Sequence, residues 1–144
     1  MPTYISWQRL GVLLAALAAV LAAGCGSAAE DGRTQVAAVV EKDFAISTPR
    51  QLPAGEVDLH VRNDGPDEHE LIVARIGPRG LPMRTDGLTL DEEALERDEP
   101  GALEPGAPGG DRTLSVKLTP GRYVFFCNMA GHYMGGMHTE VVVQ

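Results

Sequence analysis

The sequence predicts an all-β fold, and three observations carry that prediction. Two stretches alternate with period two: Val57, Leu59 and Val61 oppose Asp58, His60 and Arg62, and Leu114, Val116 and Leu118 share one side of Thr113–Leu118. Seventeen glycines and ten prolines punctuate the chain, which suits many short strands rather than a helical bundle. Two β-prone apolar runs, Tyr123 to Phe126 and Val141 to Val143, flank a glycine-bearing turn near the carboxyl end. Aromatics are few, but Val, Leu, Ile and Ala suffice for one modest core, so 144 residues make one domain plus extras. A formal charge of -8 offers no basic footprint for nucleic acid.

Met1 to Arg9 carries only one side-chain positive charge, Arg9, and Gly11 to Ala23 is an uncharged Leu/Ala/Val run of thirteen residues. That run fits a signal-peptide apolar region of about 7–15 residues and falls short of the ~18 needed to span a bilayer. Small residues then lead to Cys25, a pattern similar to a bacterial lipoprotein signal. The resemblance implies removal of residues 1–24 and lipid modification of Cys25, although Ala22 stands where Leu is usual. An ordinary secretory signal or an uncleaved anchor are the alternatives, and all three place the domain outside the cytoplasmic membrane. Residues 25–34, small and polar after Cys25, read as a tether. Export also allows a Cys25–Cys127 disulfide as the bland reading of the two cysteines.

The domain proper is expected over residues 35–144. Gln35 to Ser47 reads as one bent strand or two short ones, and Pro49 and Pro53-Ala54-Gly55 mark turns. Glu56 to Arg62 is a half-buried strand with His60 on its polar face. Asn63 to Asp67 is a turn by composition, and His69 follows it at the head of the apolar run Leu71 to Ile76. Residues 77–112 read as a long Pro/Gly/acid-rich insertion, with one short helix over Leu90–Asp98 and a flexible stretch over Pro100–Gly110. Its seven acids between Asp91 and Glu104 either dock a basic partner or form a solvated face. Thr113 to Leu118 is a strand, and Pro120-Gly121 turns the chain into the next. There is no internal repeat.

Between the last two apolar runs lie Cys127, His132 and Met137 at Cys-x4-His-x4-Met spacing, on a turn with three glycines. Two strands joined by such a loop can bring a thiol, an imidazole and a thioether to one point. That soft set suits copper, and a His2Cys set with an axial Met needs one more histidine from elsewhere. The loop resembles the ligand loop of the cupredoxins, the blue or type 1 copper proteins, and its spacing is closer to sulfocyanin-like and azurin-like members than to plastocyanins. Asn63 to Val73 is similar to the family's upstream strand, turn, histidine and strand.

The resemblance spans about residues 35–144 and implies a Greek-key β-sandwich with about seven or eight strands. It implies His69, Cys127, His132 and Met137 as ligands of one copper, with Met129 and Met134 as neighbours of the axial position and His138 turned away. Glu70 departs from the Asn or Ser that often follows the first histidine and ties the two ligand loops together, so its carboxylate must find a donor. A bound metal would deprotonate Cys127.

No Ser-His-Asp set, paired carboxylates or phosphate-binding glycine loop is evident, so an enzyme is not expected. The resemblance implies an extracytoplasmic, lipid-anchored, monomeric electron carrier whose surface at His132, Tyr133 and Met134 meets redox protein partners. The rival is a copper carrier or buffer holding Cu(I) with Met129, Met134 and Met137. A metal-free binding module with a buried structural Cys127 is the third reading.

Overall fold

A computed structural model describes residues 34–144; the expected signal segment, Cys25 and most of the tether lie outside the described residues. The strands are β1 (Gln35–Lys42), β2 (Ala45–Ser47), β3 (Gln51–Leu52), β4 (Gly55–Asn63), β5 (His69–Arg75), β6 (Gly101–Gly106), β7 (Asp111–Leu118), β8 (Gly121–Phe126) and β9 (His138–Val143). One helix, α1 (Glu92–Leu95), runs into a 3-10 turn at Glu96–Asp98. The first sheet has the order β2-β1-β4-β7 and the second β3-β9-β8-β5-β6. β1 lies parallel to β4 and β3 parallel to β9, while the other pairs are antiparallel.

Period-two alternation puts the core between the sheets. Ala37 and Val39 of β1, Val57, Leu59 and Val61 of β4, and Val116 and Leu118 of β7 meet Leu71, Val73, Tyr123, Phe125, Val141 and Val143 of the second sheet. Full burial of each Val, Leu or Phe contributes about 1.5–3 kcal/mol. The run from Gln35 to Ser47 is two strands in a hairpin, with Lys42 paired to Ala45 across the two-residue turn Asp43-Phe44.

β5 and β8 are continuous apolar runs because both their faces are covered. On the outer face Ile72, Ala74, Val124 and Phe126 pack under Leu90 and Leu95. The acidic segment is therefore a cover, with Asp91 capping α1 by accepting from Ala94 N at 3.2 Å. Its expected span needs correction, since Gly101–Gly106 is a paired strand and β7 starts at Asp111. β6 escaped notice because Pro100, Gly101, Pro105 and Gly106 read as turn residues. It is an edge strand paired only to β5, where a proline need not donate.

The cover is latched to residue 128. Leu90 N donates to Asn128 Oδ1 at 2.7 Å, and Asn128 Nδ2 donates to Leu90 O at 3.0 Å and Glu92 Oε1 at 2.6 Å. Asn128 N donates to Glu70 Oε1 at 2.8 Å. Asn128→Ala leaves the buried Leu90 N–H without its partner, and urea unfolding of the metal-free protein should show a loss of about 1–3 kcal/mol. Asn128→Asp should do worse, because it adds a carboxylate beside Glu70 and Glu92.

Glu41 occupies the third inward position of β1 and is fully buried. Arg112 of β7 donates from Nη2 to Glu41 Oε2 at 2.6 Å and to His69 O at 3.1 Å. Glu41 Oε1 has no partner. Burial outweighs the arginine and pushes the Glu41 carboxyl up to about 7, from an ordinary 4.5. The folded chain thus holds this proton more tightly than the unfolded one. That stability is fully present below about pH 4.5 and is lost as pH rises through about 7. The metal-free protein should lose about 3 kcal/mol over this window in denaturant titrations, and Glu41→Gln should flatten the profile.

Candidate metal centre

Three loops meet at one end of the sandwich. The first delivers His69, and Asn63, the last inward residue of β4, shapes it. Asn63 Nδ2 donates to Asp67 O at 2.8 Å and Gly106 O at 2.9 Å, and its Oδ1 accepts from Gly65 N at 2.9 Å. The turn so formed sets fully buried His69 at the start of β5.

The second loop runs from Cys127 to Met137. Cys127 continues the inward phase of Tyr123 and Phe125, so the thiol enters the end of the core. Backbone bonds close the loop on itself: His132 N to Met129 O at 2.9 Å, Gly135 N to Gly131 O at 2.8 Å and Met137 N to His132 O at 3.0 Å. Gly131 and Gly136 stand at φ +83° and +104°, where a side chain is strained. Cys127 N donates to Met137 O at 3.1 Å, which brings the two sulfur-bearing residues together.

One donor atom each from His69, Cys127 and His132 lies within 4.8 Å of the other two. Cys127 Sγ is 3.4 Å from His132 Nδ1, and the two imidazole centroids are 5.2 Å apart. His69 Nδ1 is buried and has no hydrogen-bond partner. Such an orphan costs roughly 1–3 kcal/mol in an apolar setting unless something ligates it. Met137 is fully buried, Met129 is partly buried against the core, and Met134 is 58% exposed. Burial therefore singles out Met137 among the three thioethers.

The electrostatics favour a cation. Burial pushes the Cys127 thiol up, while the Glu70 and Met129 N–H groups pull it back toward thiolate. Glu70 has its donor in Asn128 N, so the departure at this position still ties the two ligand strands. Burial also raises the Glu70 carboxyl, and neighbouring Glu92, Glu104 and Glu99 add to that.

A third loop was not foreseen. The Asp43-Phe44 turn of the β1–β2 hairpin touches both histidines. Asp43 Oδ1 is 3.1 Å from His69 Nε2, and the Phe44 ring meets His132 edge-on at 5.7 Å between centroids. Phe44 is 54% exposed and stands at φ +57°, a left-handed conformation that costs about 1–2 kcal/mol without glycine. Its only sequence signal is a large apolar residue beside an acid between two strand runs.

Of the expected surface residues, His132 is half-buried and Met134 projects outward. Tyr133 instead packs inward, edge-on to Phe126 and stacked on His138 at 4.7 Å. His60 is exposed on the outer face of β4, away from the centre. Cys127 is a free thiol.

No protein-family profile matches the chain, and no curated protein matches it by sequence. Solved structures do match. A dithionite-reduced auracyanin from Roseiflexus castenholzii is 21% identical over 78% of this chain and 98% of its own, with a TM-score of 0.57. Auracyanin A, a "blue" copper protein from Chloroflexus aurantiacus, is 16% identical over 78% of this chain and all of its own, with a TM-score of 0.58. Rusticyanin from Thiobacillus ferrooxidans is 15% identical over 78% of this chain and 79% of its own, with a TM-score of 0.55. At such identities the likeness is one of architecture: the chain has the cupredoxin fold, a sandwich of two β-sheets.

Proposed function

We propose that the protein is a type 1 (blue) copper protein that carries single electrons between redox partners outside the cytoplasmic membrane. The observation that carries this reading is the buried, partnerless His69 Nδ1 beside Cys127 and His132. His69, Cys127, His132 and Met137 are the ligands in this reading, a soft set that fits copper better than a hard cation. Copper held there supplies one-electron exchange between Cu(II) and Cu(I).

The chain's own residues do the rest. Backbone bonds within 127–137 and the Asn128–Glu70 tie hold the donors in place whether or not an electron is present. Phe44 and the glycines of the ligand loop limit water near His132, while leaving its edge close to the surface. Redox protein partners meet that edge, with Phe44 and Met134 as the exposed apolar contacts.

The copper-carrier reading is less well supported, because the three loop methionines share no face: one is core, one half-buried and one outside. For location, the support is the residue pattern before Cys25. Cleavage there and lipidation of Cys25 would tether the domain to the outer side of the membrane. Among the described residues no helix is long and apolar enough to cross a membrane.

The test is the visible spectrum of the chain from residue 26 onward with Cu(II), beside Cys127→Ser. An intense blue colour that reductant bleaches and the variant lacks is expected. A colourless protein that still holds Cu(I) tightly would overturn electron carriage in favour of copper transport.

A further inference from the structure

The β1–β2 turn reaches the centre only because two glycines make room for it. A Cβ on Gly65 would stand 2.7 Å from Asp43 Oδ1 and 2.9 Å from His69 Nε2. A Cβ on Gly135 would overlap the Phe44 ring. Each ligand loop thus leaves a hollow that one side chain of this turn fills. The left-handed Phe44 adds backbone strain to the same two residues, and strain of this kind persists where the surroundings over-determine it.

A carboxylate on the distal nitrogen of an imidazole has two effects. It fixes the proton on that nitrogen, leaving the other bare, and it raises the basicity of the bare one. With Nε2–H donating to Asp43 Oδ1, the bare atom of His69 is Nδ1, which is buried and has no hydrogen-bond partner. Asp43 is half-buried and His69 is fully buried, so the contact is partly shielded from water.

We propose that Asp43 is a positioning residue of the metal centre, orienting His69 and strengthening its Nδ1 as a donor so that the oxidised metal is favoured over the reduced. The inference rests on the copper reading for its redox consequence, but not for the orientation of His69. Two variants separate charge from contact. Asp43→Asn keeps an acceptor for Nε2–H and removes the negative charge. Gly65→Ala keeps the charge and wedges a methyl group between carboxylate and ring, crowding both, in a residue whose backbone is not left-handed.

The first readout needs no metal. Nitrogen-15 NMR of the copper-free protein should show neutral His69 protonated on Nε2 and bare at Nδ1. Gly65→Ala should give a mixture of the two tautomers. The second readout is the midpoint potential of the copper-loaded protein by spectroelectrochemistry. Each variant should weaken the hold on Cu(II) relative to Cu(I) about tenfold, a rise of about 59 mV for one electron. A His69 protonated on Nδ1 in the copper-free wild type would sink the inference outright. So would potentials that do not move in either variant. A wild type that forms no blue site would count against the copper reading alone, since the tautomer decides the orientation by itself.

Discussion

A nitrogen that is buried and unbonded sets the terms for this end of the molecule. Folding places His69 Nδ1 out of water without giving it a hydrogen-bond partner, in a residue clustered with a thiol whose pKa burial pushes up. The thiol meets His132 Nδ1 at 3.4 Å, whereas the His69 nitrogen meets nothing, and one soft cation satisfies it. The remaining contacts prevent the site from relaxing away from that state. Arg112 pins the His69 carbonyl to the opposite sheet, Asn63 holds the preceding turn, and Asn128 ties the cysteine strand to Glu70. The fold tolerates a local deficit because its surroundings are over-braced.

The centre was legible in the sequence where its residues are close along the chain. Cys127, His132 and Met137 fall within one loop between two apolar runs, and spacing alone groups them. His69 was legible only through its resemblance to a family pattern, because nothing in a turn histidine announces its partner. Asp43 and Phe44 were not legible at all. Their contacts with residues 69, 132 and 135 arise from the hairpin and the stacking of two sheets, which no local pattern encodes. Glu41 was hidden for a related reason, since a glutamate in a strand reads as an outward residue unless its place in the alternation is weighed above its charge. The long acidic stretch shows the opposite error. Its composition suggested a free loop, yet Leu90 and Leu95 bury themselves and Gly101–Gly106 pairs at the sheet edge.

That stretch also brings negative charge close to the ligand strands. Glu92 accepts from Asn128, and the charges of Glu92, Glu104 and Glu99 reach Glu70. The exposed apolar residues stand with the loop histidine. Asp43 sets one further carboxylate beside this apolar group, 3.1 Å from His69.

The two parallel pairings have a consequence for how the protein comes into being. β1 lies against β4, and β3 against β9 near the carboxyl end, so the amino-terminal strands cannot complete their sheets until distant segments arrive. Contacts of such long sequence separation form slowly, because loop closure precedes any gain from them. The donors share this delay, since His69 heads β5 while Cys127 and Met137 flank the β8–β9 loop, and they meet only when these strands pair within the second sheet. The donor set is therefore complete only once these distant segments have paired, and metal capture follows folding rather than guiding its first steps.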